Sequence, residues 1–285
     1  MKSYNAIGYA IIVAYAAACM LLAPAPIGPW WGLLIGTAYL LTFWYLAGTY
    51  LADVLHLGIA HRSLDFSPAF IKAVTLINNV FGVYVDPIGW VNRHRLHHRH
   101  SDHEGDPNKL ADDGFWKTLW LCLFPYPTNA NVANDDILKS WVFRLTARWE
   151  FGIAATVLNY ALLAWLTGSW AFAAAMWIGL RVFALWVNMI QNYWTHTRSY
   201  GYRRYDDDHD NAMNIGEWLP VTATFSACLQ NNHHHSPNVL RLSHDESEYD
   251  FGFKTIRWMK ALGVVKSTVR GTQIPAEAPL QRLGF

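Results

Sequence analysis

Residues 3 to 52 contain no Asp, Glu, Lys or Arg, and neither do residues 151 to 180. A membrane crossing needs about 20 apolar residues, so the first run is long enough for two helices with a turn between them. The whole chain is 15% charged and 53% hydrophobic, against about 25% charged in soluble domains. A chain so short of charge in two long blocks reads as an all-α integral membrane protein.

The spans follow from the breakers. Residues 5–23 form the first, and Pro24, Pro26, Gly28 and Pro29 make a turn that a helix does not cross intact. Trp30 and Trp31 stand where interfacial aromatics belong, and residues 30–52 return, with the helix running on to His56 and His61. Residues 151–167 form the third span, Gly168 and Ser169 the turn, and residues 170–188 the fourth. Residues 69–85 are apolar enough for a buried or interfacial helix, but a span there would put the histidines that follow on the wrong side. Lys2 before the first run lacks the charged region and cleavage site of a signal peptide, so that run reads as a retained span.

The two tight turns, 24–29 and 168–169, carry no Lys or Arg. The positive-inside rule then places both termini and the polar stretches 56–148 and 196–270 in the cytoplasm. The expected architecture is one domain over residues 1–285, with four transmembrane helices under a cytosolic helical cap and a loose Pro- and Gly-containing tail. Arg181, alone in the fourth span, reads either as a paired structural arginine or as a polar contact in an internal channel. A net charge of +1 leaves no basic excess for nucleic acid. Cys19, Cys122 and Cys228 are too scattered for a disulfide framework or an iron–sulfur centre.

Histidine carries the chemistry. Five of the thirteen histidines fall within residues 92–107, and His94, His97 and His98 are spaced i, i+3, i+4, on one helical face. His56 and His61 form an HxxxxH pair; on an α-helix they lie roughly 140° apart, bracketing a site. His196 follows the fourth span, and His233, His234 and His235 follow Gln230-Asn231-Asn232. Each cluster alone is also what a solvated turn would look like. Together, at one membrane edge, they exceed what a single tetrahedral metal needs and point to two metals.

The order HxxxxH, HRxHH with a following Asp106-Pro107, Asn192-Tyr-Trp-Thr-His196 before Gly201-Tyr202-Arg203, and Gln230-Asn-Asn-His233-His234 resembles the membrane-bound fatty acyl desaturases, most closely the acyl-CoA (delta-9) type. The resemblance implies a di-iron site with His56, His61, His94, His97, His98, His196, His233 and His234 as ligands and Asn192 acting through water. Two departures stand out: Gln230 opens the third box where histidine is usual, as a weak or water-mediated ligand, and Leu57 replaces the usual arginine. A shifted register, led by Asn231 and binding through His234 and His235, is the alternative.

His100, His103, His209 and His244 match no ligand position and are expected in outer-shell, surface or structural roles. Asp53, Asp102, Asp106 and Glu217 are candidates for holding imidazole N–H groups, or else serve as caps and solvated charges. Trp90, Asn92, Arg93, Arg203 and Arg204 are candidate substrate contacts. The resemblance further implies O2-dependent desaturation of a fatty acyl chain. With no cytochrome b5-like motif, Gly-rich nucleotide loop or cysteine cluster in the sequence, a separate ferredoxin, cytochrome or reductase is expected to supply electrons, and the short tail and lack of organelle signals fit a bacterial inner membrane. Alternatives are a hydroxylase or acetylenase on the same scaffold, the alkane and carotenoid hydroxylases and, more distantly, a metal transporter. A transporter would place ligands mid-membrane, and the spans hold no central histidine.

Overall fold

A computed structural model describes residues 2–109, 114–125, 131–206 and 210–268; His209 and the expected C-terminal tail lie outside them. Among the described residues, four helices are long and apolar enough to cross a membrane: Ser3–Leu21, Gly28–Ala60, Trp149–Thr167 and Trp170–His196. The first is α1 (Ser3–Leu21). The second is α2 (Gly28–Gly48), with Pro29 in its first turn, where the missing N–H is harmless. It continues without a break into a π-helical segment, Thr49–Ala60.

β1 (Leu64–Phe66), α3 (Pro68–Phe81) and α4 (Pro87–His100) follow. Ser67 caps α3 and Asp86 caps α4 through their side chains, each with a proline in the first turn. Next come α5 (Phe115–Leu123), the short α6 (Trp141–Thr146), α7 (Trp149–Thr167) and α8 (Trp170–Asn192). The cap closes with α9 (Trp218–Ala223), α10 (Gln230–His235), α11 (Phe251–Ala261) and β2 (Val265–Thr268). β2 pairs antiparallel with β1, Leu64 opposite Thr268. Among the described residues, this two-strand ribbon and two isolated bridges, Tyr202–Asn214 and Asn214–Leu229, depart from an all-helical chain.

Two cores hold the molecule. In the membrane part, Tyr4, Tyr15, Phe172, Met176, Leu180 and Trp186 pack among α1, α2, α7 and α8. With lipid outside, helices associate through close packing and internal hydrogen bonds rather than the hydrophobic effect. A Cβ on Gly179 would lie 2.0 Å from the Tyr15 ring, and the Tyr15 hydroxyl donates to the Gly36 carbonyl at 2.6 Å. Arg181 takes the structural role: it donates to the carbonyls of Trp177 and Gly82, with its guanidinium 3.9 Å from the Trp177 ring centroid. The second core, including Tyr50, Val54, Phe66, Val91, Phe143 and Ile256, joins the π-segment to the cap.

Candidate metal centre

The π-segment corrects the α-helical reading of the first histidine pair. The His61 amide donates to the His56 carbonyl at 2.9 Å, an i→i+5 bond, and such wide turns are rare and frequent at functional sites. An i→i+5 turn stacks residue 61 above residue 56 instead of splaying the two by 140°. Their ring centroids are 4.8 Å apart. Arg95 fixes the end of this segment: it donates to the carbonyls of Ile59 and Ala60 at 2.7 and 3.2 Å and pairs with Asp135 at 2.6 Å.

Eight histidines converge in two groups: His56, His61, His94, His98 and His233 in one, His97, His196 and His234 in the other, the ligand atoms of each group lying within 4.8 Å of one another. The division follows from helix geometry. His94 and His98 are one turn apart on α4 and share the first group, whereas His97, displaced about 100° from His98, faces the second. His233 and His234 split in the same way on α10. Trp90, one turn before His94, stacks flat against its ring at 9° and 4.9 Å.

The imidazole edges nearly touch. Nε2 of His233 is 2.9 Å from that of His56 and 3.0 Å from that of His98, His61 is 2.8 Å from His94, and His97 is 3.2 Å from His234. One ring nitrogen carries at most one proton, so it cannot satisfy two neighbours that both point at it. A cation about 2.1 Å from each nitrogen would set neighbours at right angles about 3.0 Å apart. The donors therefore fit metal, and an all-imidazole set suits iron, zinc, copper or nickel.

Electrostatics keep the donors ready. Burial, then repulsion among the clustered imidazoles, pushes His61, His94, His98 and His233 well below the ordinary histidine pKa. Burial takes His234 down to about 4, against the opposing effect of its hydrogen bond to Asp210. These rings are neutral at pH 7, as metal binding requires.

Three carboxylates back the second group. His97 Nδ1 meets Asp106 at 2.8 Å, His196 Nδ1 meets Asp102 at 3.1 Å, and His234 Nδ1 meets Asp210 at 3.1 Å. Burial works against ionisation of Asp210, but its bonds to His234 and Ala212 hold it down to about 2. Asp102 has a left-handed backbone, φ 62°, which short polar side chains tolerate. Its amide donates to Asp106, and the Asn211 amide donates to its carboxylate. Asp210 escapes sequence reasoning because it lies in a loop outside every histidine box; its neighbour Arg203 is the only hint. Asp53 and Glu217 are not histidine partners: Asp53 is buried beside Thr255, and Glu217 accepts from the Tyr4 hydroxyl.

Other expectations are redirected. Asn92 accepts from the amides of Val132 and Ala133. Arg203 clamps Asp210 and the Ala212 carbonyl, and Arg204 pairs with Glu248 and Asp245. Both arginines are buried at 5% and 6% exposure, with their charges paired to the protein's own carboxylates. Asn92 is likewise committed to backbone, and Trp90 to the His94 ring. His235 is exposed and stacks on Tyr205 at 3.6 Å and 4°, outside both groups. Asn231, leader of the shifted register, is bonded to Arg204 and Tyr205 backbone. The amide of Asn192 donates to Asn188. His103 is exposed, His100 half-buried, and His244 is buried with its Nδ1 on the Tyr205 hydroxyl at 2.9 Å.

Residues 29–244 match the family described as fatty acid desaturase. The chain is similar to the sn-1 stearoyl-lipid 9-desaturase of Anabaena variabilis, 27% identical over 235 residues covering 81% of this chain and 82% of that protein. It is 29% identical to the sn-2 palmitoyl-lipid 9-desaturase of Nostoc sp. over 230 residues, 75% of this chain and 74% of the other. It is 26% identical to the hex-5-enoyl-(acyl-carrier protein) acetylenase of Moorena producens over 261 residues, 83% and 78% of the two.

Proposed function

The chain belongs to the membrane fatty acid desaturase family, and from that premise we propose that it uses O2 at a pair of histidine-held irons to introduce a double bond into a lipid-linked acyl chain. The observation that carries the reading is the convergence of two groups of buried and half-buried imidazoles, drawn from the ends of two membrane-length helices and from the short helices of the cap. Iron and O2 would supply an oxidant strong enough for an unactivated C–H bond, which acid–base groups do not reach.

This chain's residues do the rest. His56, His61, His94, His98 and His233 would hold one iron, and His97, His196 and His234 the other. The Gln230 Oε1 is buried without a hydrogen-bond partner and lies one helical turn before His234, which supports it as a further ligand on the second iron, with Asn192 acting through water. Trp90 fixes the plane of His94. Apolar side chains packed beside His56, among them Leu57, Phe225, Leu240 and Ile256, would keep water from that ligand. The basic polar stretches support a cytoplasmic cap, and an outside electron donor would dock there. A lipid carrier is favoured by the two lipid 9-desaturase relatives.

The acetylenase relative supports a second reading, in which the product is a triple bond. Gas chromatography–mass spectrometry of acyl chains from a bacterial host tests both, beside a His97→Ala, His98→Ala control. A new double bond absent from the control is the expected result. A triple bond or hydroxyl replaces the reaction named here, and an unchanged profile from protein that binds no iron overturns the proposal.

A further inference from the structure

The two histidine groups differ on the side that faces away from the ligand edge. Every imidazole of the three-histidine group presents Nδ1 to an aspartate, Asp106, Asp102 or Asp210. Among the described residues, no carboxylate lies within ion-pair distance of any ring in the five-histidine group. There the His233 Nδ1 is buried with no partner, and the nearby formal charge is the cation Arg95, pinned beside His61 on the Ile59 and Ala60 carbonyls.

Side-chain count alone favours the five-histidine position, which offers more bonds. Charge favours the other. Asp106 is fully covered in its side chain, and Asp102 and Asp210 are 5% and 10% exposed. Buried anions are costly unless paired, and Arg203 touches Asp210 alone of the three. A divalent cation held by these three imidazoles attracts all three carboxylates at once, in surroundings where attraction is far stronger than in water. Each aspartate also fixes its imidazole with Nε2 aimed inward and makes it a stronger donor.

On the reading that these histidines hold two metals, we infer that the positions are unequal: the three-histidine position, backed by Asp102, Asp106 and Asp210, fills first and binds tighter, and the five-histidine position fills second. Asp102, Asp106 and Asp210 are positioning residues for that first metal.

The test is a metal titration of the full-length chain in detergent after chelator treatment. Cobalt(II) is followed by its visible spectrum and zinc(II) by calorimetry. Wild type should bind two equivalents in two phases at least tenfold apart. Asp102→Asn, Asp106→Asn and Asp210→Asn should each weaken the tighter phase by about 10–100-fold and leave the weaker one in place, which also shows that the variant is folded. His61→Ala should remove the weaker phase alone, and Asp210→Glu should recover part of the tighter one. Unchanged phases in the Asp→Asn variants, or loss of the weaker phase instead, overturn the inference while the histidine reading stands. Wild-type chain that takes up no metal overturns both.

Discussion

Asn231 and Asn232 stand between Gln230 and the clustered His233 and His234, and the surrounding loops absorb both side chains. The Asn232 amide donates to the Leu242 carbonyl and Glu248 at 2.8 and 2.9 Å and accepts from Asn214 at 2.8 Å. Asn232→Ala leaves buried partners unsatisfied at about 1–3 kcal/mol each, so we expect a loss of at least about 2 kcal/mol, read as a lower melting temperature in detergent. His244 makes the same region acid-sensitive. Burial takes its pKa down to about 4 even with Glu248 nearby, against about 6.5 unfolded. The unfolded chain therefore binds the proton first: His244's neutral, buried state favours folding above about pH 6.5, and that contribution is lost as pH falls toward about 4. His244→Asn keeps an acceptor for Tyr205 without a titrating ring. The gap between wild-type and variant melting temperatures should change steadily across that window, and a constant gap would show that His244 does not titrate there.

At the level of elements, the long second helix is legible in composition, but its π-character is not. Periodicity at 100° per residue separates His56 from His61, and only the wide turn stacks them. That turn depends on Arg95, which draws the last carbonyls of the segment against α4 while paired with Asp135. Removing one partner of a largely buried pair costs about 3–5 kcal/mol. Arg95→Gln should lower stability by an amount near the low end, since 16% of the side chain is exposed. The neighbouring pairs His97–His98 and His233–His234 read as two boxes of ligands in the sequence. In space each pair is divided between two positions, because adjacent helical residues cannot face the same point.

Across the whole molecule, the membrane helices approach closely where glycine faces an aromatic ring. Gly179→Val places a branched side chain where a Cβ alone would already lie 2.0 Å from Tyr15. Overpacking costs about 1–3 kcal/mol or more, so the variant should melt lower and yield less folded protein from membranes. A melting temperature equal to wild type would show that α1 and α8 can separate without penalty. The cap is held from both directions: the β1–β2 ribbon joins its beginning to its described end, and α11 packs through Ile256 into the core that contains Tyr50 and Val54 of the π-segment.

What the sequence by itself determined were the features that depend on solvent and spacing. Charge-free runs longer than a bilayer have no stable place in water, and histidine boxes at helical spacing announce themselves locally, so the spans and the candidate ligands were legible. What only tertiary structure decided were the features that depend on which distant backbones meet. Asp210 reaches His234 from 24 residues away, and Asp102 reaches His196 from 94. Arg203 and Arg204 have the sequence of solvated cations, but the fold closes over them and turns them onto Asp210 and Glu248. A charged side chain's partner is set by the path of the chain around it, and no local pattern records that path.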